Sequence, residues 1–251
     1  MKASSPNLCK NCAMPASGKY CSSCGQKTRV DRITFKETIQ DFVESTFSID
    51  APLLITLKFL VVDPGRLFRE FLEGKRKKYY KPVAFFILMS VLYLLVRSLI
   101  EFDPFRDTSV IAVDGDPKGE VFTRLTKARN FMLLNIDKLL FIFVLTLSLM
   151  LKLIFYKKNS WAEFVAIAFY VIGVYTMLTT FNMFYIQYVN SELQALALLT
   201  FGAYFVYAMI SYFDYKRFWV GLKSLLAFFS AMLLYMALAF SLSYVIVTLK
   251  N

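Results

Sequence analysis

Five long apolar stretches, at 83–100, 139–156, 162–189, 195–213 and 225–249, limit this chain more than anything else in it. Each rises far enough as a helix to cross roughly 30 Å of hydrocarbon. With 57% of its 251 residues hydrophobic and only 19% charged, the chain also lacks the polar surface to cover a soluble body of this size. The expected fold class is an all-α multispanning membrane protein of about five transmembrane helices over 83–251. The third stretch is longer than a bilayer needs, so it is expected to tilt, to kink near Gly173, or to project outward at 182–189. Arg97 and Lys152 fall near span ends, where long side chains reach the interface, and Glu163, at the start of the third stretch beside Lys157 and Lys158, is expected to form a local ion pair. Tyr175, Thr176, Thr179, Thr180 and Asn182 read first as helix-packing groups and only second as a pore lining.

Basic residues set the expected orientation. Residues 1–82 hold 15 Lys and Arg, Lys157 and Lys158 follow the second stretch, and Lys216, Arg217 and Lys223 follow the fourth. Those segments alternate to one side. On the other side, 101–138 carries six basic against seven acidic groups and 190–194 has no cation. Positive charge inside puts the N-terminus in the cytoplasm and the C-terminus outside. The formal charge of +11 is then mostly topology and attraction to anionic headgroups of the lipid bilayer, and nucleic acid is the weaker explanation. The first 30 residues contain no apolar core segment, so no cleavable secretory signal is expected.

The four cysteines of the chain form two C-x-x-C pairs, Cys9 with Cys12 and Cys21 with Cys24. Four thiolates so spaced can surround one tetrahedral Zn2+, and Gly25 supplies permissive backbone after the second pair. Eight intervening residues make the ribbon a short hairpin with its tip at 14–20. Two disulfides or a redox pair are the alternatives, and the reducing compartment implied by the orientation favours zinc. A four-thiolate site has no open coordination position, so the expected cytoplasmic zinc ribbon at 1–30 is a folding device.

Residues 31–82 are expected to form cytoplasmic amphipathic or interfacial helices and a basic juxtamembrane run. Thr34 and Glu37 have capping-box spacing ahead of Phe35, Ile39, Phe42, Val43 and Phe47 on one helical face. The apolar run 51–62 is too short to cross a bilayer and suits an interface. Asp63 and Pro64 start a further helix with Leu67, Phe68, Phe71 and Leu72 as its stripe, and Gly74 ends it. Lys75, Arg76, Lys77, Lys78, Tyr79, Tyr80 and Lys81 then precede Pro82. General anchoring at headgroup depth is the first reading of this run. The sharper one is a specific lipid or phosphate site with Arg66, Arg69, Lys75, Arg76, Lys77, Lys78, Tyr79 and Lys81 as contacts, because guanidinium forks suit phosphate.

The ordered features Tyr20-Cys21-x-x-Cys24-Gly25-Gln26, Arg32-Ile33-Thr34-Phe35, Asp63-Pro64-Gly65 and Gly74-Lys75-Arg76-x-x-Tyr79-x-x-Pro82 resemble the bacterial family called domain of unknown function 3667. The resemblance is dense from residue 9 to about 100 and continues weakly at Trp161-Ala162-Glu163, where Phe164 stands in place of a His common in that family. It implies a bacterial inner-membrane protein of unassigned activity and supplies no catalytic residue; with the orientation read from the basic residues, the C-terminus is expected to be periplasmic.

The chain has no His, no nucleophile and base pair, no phosphate-cradling glycine loop and no open metal site, so it is not expected to be an enzyme. A noncatalytic scaffold or adaptor with a structural zinc site, docking a cytoplasmic protein partner, is the leading expectation. The alternative is a channel, a small-solute transporter or a lipid-handling protein.

Overall fold

The computed structural model describes residues 8, 14–15, 18–23, 51–76, 78–102, 120–189, 196–213 and 215–249, in two compact units, Met1–Ser48 and Ile49–Asn251. In the first unit Leu8 and Pro15, which flank the first cysteine pair in sequence, form an isolated antiparallel bridge, and Cys21 is buried. Cys9, Cys12 and Cys24 lie outside the described residues, as do Lys77, the helix expected from Thr34 and residues 103–119. Among the described residues no group of three or more metal-ligating side chains occurs.

The described residues of the second unit form eight helices: α1 (Ala51–Val62), α2 (Pro64–Leu72), α3 (Pro82–Leu99), α4 (Glu120–Leu134), α5 (Ile136–Ile154), α6 (Trp161–Tyr188), α7 (Leu196–Tyr212) and α8 (Arg217–Leu249). Of these α3, α6 and α8 are long and apolar enough to cross a membrane. α5 meets α4 at an 85° bend, so the pair counts as one broken span, and α7 is apolar but only 17 residues long. All five apolar stretches are thus helical, with three or four of them meeting the length and composition of a span.

α6 occupies the centre, packed by α3, α5 and α7, while α8 lies along α4, α5 and α7. Its interior positions Phe164, Ile167, Ala168, Tyr170, Val171 and Ile172 are essentially inaccessible. Such a surface makes sense only surrounded on several sides, whereas α3 and α8 each turn a leucine-rich face outward. Lipid tails are as apolar as leucine, so close packing and internal polar bonds must hold the helices together. Edge-to-face aromatic pairs, Phe86 with Phe141 and Phe143 with Phe201, contribute part of that packing.

Three local expectations differ from the structure. α6 runs unbroken through Gly173, which is a packing notch rather than a kink: a Cβ there would lie 2.6 Å from the Phe85 ring. α8 begins at Arg217, eight residues before the apolar stretch, because its cations project from a regular helix that nothing in 217–224 breaks. Glu163, expected to pair with Lys157 and Lys158, instead closes a capping box with Ser160 and accepts from the Asn159 amide at 3.1 Å. Lys152 turns toward its own helix end, donating to the carbonyls of Tyr156 and Asn159.

Candidate functional site

α1, α2 and the basic loop build a corner that is bolted to the end of α7. Asp63 caps α2 by accepting from the Arg66 amide at 3.0 Å, and the same Oδ1 accepts from the Ser211 hydroxyl at 2.8 Å. Pro64 occupies the first turn of α2, where its missing N–H costs nothing. Gly65 lets the two backbones touch. Its amide donates to Ser211 Oγ at 3.0 Å, and a Cβ there would fall 2.1 Å from the Ser211 carbonyl oxygen. One turn on, Arg69 Nη1 donates to the carbonyls of Ser211 and Tyr212 at 2.7 and 3.0 Å. A cation on the orphan carbonyls of a helix C-terminus also matches the helix dipole. In return, the hydroxyls of Tyr204 and Tyr207 reach the last carbonyls of α1, at Leu60 and Val62.

The second half of the corner is organised by one carboxylate. Glu70, on the turn after Arg66, accepts from Arg66 Nε at 3.1 Å, Lys78 Nζ at 2.5 Å and the Tyr79 hydroxyl at 2.8 Å, with Lys75 Nζ at 3.6 Å. Its side chain is 12% exposed. These partners, the Lys78 bond foremost, then Tyr79 and Arg66, hold the carboxyl at about 2, below its ordinary 4.5. Burial and then the Glu70 bond push the Tyr79 phenol upward, so it remains a donor. The Phe59 ring lies under both Arg66 and Lys78, at 5.1 Å each. Gly74, at φ +107°, makes the left-handed turn that sends the chain back toward α2. The loop is closed on its other side by Thr56, which donates to Pro52 O while accepting from the Tyr80 amide at 2.8 Å, and by the Tyr170 hydroxyl, which donates to Tyr80 O.

The sequence-predicted contacts therefore fall into three sets. Arg69 is engaged through Nη1 with the α7 carbonyls. Arg66, Lys75, Lys78 and Tyr79 converge on Glu70. Arg76 and Lys81 are exposed, with no ion pair to either among the described residues, and Lys77 lies outside those residues. Glu70 and Ser211 are the two organising residues that sequence reasoning missed. The i,i+4 spacing of Arg66 and Glu70 was a usable signal for the first. Nothing local points to Ser211, which lies 146 positions from its partner Gly65.

Chemically this is a charge-rich platform. One carboxylate against three cations leaves an excess of positive charge, fixed in place, beside two exposed cations on the same short loop. No curated protein and no solved structure matches the chain. Residues 50–94 match the model of the family described as protein of unknown function DUF3667, and this segment forms α1, α2, the basic loop and most of α3.

Proposed function

We propose that this protein is a noncatalytic integral-membrane scaffold whose α1–α2 corner is a rigid collar on the cytoplasmic face, tying an N-terminal zinc-bound docking segment to a bundle of five spans. The observation that carries this reading is the use made of the collar's polar groups. Arg69, Asp63 and Ser211 hold the corner to α7, and Glu70 with Lys78 closes the basic loop onto α2, which suits a device for transmitting position better than one for binding and releasing a substrate. Arg76 and Lys81, both exposed, then face anionic headgroups, each attracted by about 1 kcal/mol near the surface. The basic side of the bundle is taken as cytoplasmic and the C-terminus as periplasmic.

Cys9, Cys12, Cys21 and Cys24 would hold one structural Zn2+. Two observations fit it: Cys21 is a buried thiol in a short, polar segment, and the Leu8–Pro15 bridge brackets the first C-x-x-C pair in sequence. Metal bound there stabilises the fold of the docking segment and supplies no reaction chemistry.

The test is copurification after crosslinking in native membranes, comparing the full chain with a C9S/C12S/C21S/C24S variant. A partner retained by the first and lost by the second, together with one zinc per chain in the first only, is the expected result. Partners unchanged in the variant, or solute flux through liposomes holding the purified protein, would overturn the scaffold reading.

A further inference from the structure

Three cations of the α1–α2 corner are gathered at one point. Arg66 Nε, Lys75 Nζ and Lys78 Nζ lie 3.1, 3.6 and 2.5 Å from the Glu70 carboxylate. That carboxylate is 12% exposed, whereas the side chains of Arg66, Lys75 and Lys78 are 54%, 57% and 35% exposed, so the cations roof the anion. Their remaining N–H groups are free for another acceptor. Arg66 spends only Nε on Glu70, and Lys75 approaches as an ion pair beyond hydrogen-bond reach, which leaves both with donors to spare. The Phe59 ring supports Arg66 and Lys78 from below, at 5.1 Å each. The other carboxylates of the corner take no share in this pairing. Asp63 accepts from the Arg66 amide and from Ser211, and Glu73 forms no ion pair among the described residues.

Three cations around one carboxylate leave two positive charges uncompensated. A phosphodiester headgroup brings one negative charge and two free oxygens, which neutralises half of that excess. A phosphomonoester brings about 1.5–2 negative charges at pH 7 and three acceptor oxygens, one for each cation. α1, which carries Phe59, also turns Leu54, Val61 and Val62 outward, each more than 60% exposed, with Lys58 exposed among them. Apolar surface on the element that supports the cations suits an amphiphile, whereas a free phosphate has no use for it.

We propose that the Glu70 cluster seats the headgroup of a phosphomonoester lipid of the phosphatidic acid type, its phosphate oxygens on Arg66, Lys75 and Lys78 and its acyl chains along the exposed side of α1. The site rests on the reading that this corner lies at an anionic membrane face, and it names the headgroup selected there. Glu70 is a positioning residue: it touches no lipid, but it holds together three cations that otherwise repel one another.

The test is native mass spectrometry of the full chain in detergent with equal amounts of dioleoyl phosphatidic acid and dioleoyl phosphatidylglycerol, and with glycerol 3-phosphate as a water-soluble competitor. Phosphatidic acid should be retained about fivefold over phosphatidylglycerol, the value of one further cation contact. Lys75→Gln, which removes an ion pair but no side-chain hydrogen bond, should bring the two lipids to parity at an unchanged Tm. Phosphorus NMR needs no variant. The second ionisation of phosphatidic acid, ordinarily at about pH 6, should fall by about one pH unit in micelles holding the protein relative to protein-free micelles. Equal retention of the two lipids by the wild-type chain, a preference undiminished in Lys75→Gln, or an unshifted ionisation would each overturn the phosphomonoester seat, and none of them alters the copurification on which the scaffold reading stands. Displacement of phosphatidic acid by an equal concentration of glycerol 3-phosphate would assign the phosphate to a soluble source and overturn the lipid site.

Discussion

Glu70 carries more of the collar than any other single side chain. Its carboxyl is held at about 2 against an ordinary 4.5, so its contribution is complete above about pH 4.5, where the unfolded chain is also ionised, and is lost as pH falls toward 2. In Glu70→Gln the acid side of the stability profile should flatten over that window, measured by thermal unfolding at steps from pH 5 to pH 2. The two packed glycines make a sharper contrast. Gly65→Ala drives a Cβ into backbone at 2.1 Å, where nothing can rotate away, whereas Gly173→Ala meets the Phe85 ring at 2.6 Å, which can turn. Overpacking usually costs about 1–3 kcal/mol. Gly173→Ala should stay near the low end and remain folded, and Gly65→Ala should exceed the range and fail to yield monodisperse protein on size exclusion. At this scale the sequence located the cations but not where they point. Arg66 and Glu70 are a local pair, legible from spacing, while Arg69 reads like its neighbours and is distinguished only by the distant α7 carbonyls.

Helix ends, as well as packed helix faces, join the elements. α2 caps α7 through Arg69, α7 caps α1 through Tyr204 and Tyr207, and α6 starts with a Ser160–Glu163 capping box. Hydrogen bonds from a charged donor are worth about 1.5–3 kcal/mol each. Arg69→Ala should therefore destabilise the bundle by roughly 2–4 kcal/mol, with Arg69→Lys recovering part, read from the thermal midpoint in detergent. The basic loop makes its own prediction: replacing Arg76, Lys77 and Lys81 with Gln should lower retention of phosphatidylglycerol, seen by native mass spectrometry, about fivefold per cation. The positions of α3, α5, α6, α7 and α8 were legible because each coincides with an apolar run too long for a core strand. The start of α8 was not, since Lys216, Arg217 and Lys223 look like a turn until the helix is seen to continue beneath them. The bend at Asn135 was equally hidden, because neither Gly nor Pro marks it.

The molecule as a whole combines the segment matched over 50–94 with a bundle that this segment grips. The match over 50–94 coincides with the part whose contacts are most specific, while the rest of the bundle is defined chiefly by apolar packing that many sequences can satisfy. Hydropathy alone leaves the number of crossings open, since α7 is short and α5 is bent against α4. The collar, however, needs an odd count if the basic segments are all to share one side. Topology is therefore decided by where the two ends of the chain lie. The decisive measurement places a peptide tag at Met1 in one preparation and after Asn251 in another, and probes intact cells, with only their outer membrane made permeable, using an impermeant labelling reagent. A C-terminal tag that is labelled and an N-terminal tag that is protected until the inner membrane is breached is the predicted result. Both tags on one side, or the N-terminal tag labelled first, would contradict the five-span bundle and its cytoplasmic collar.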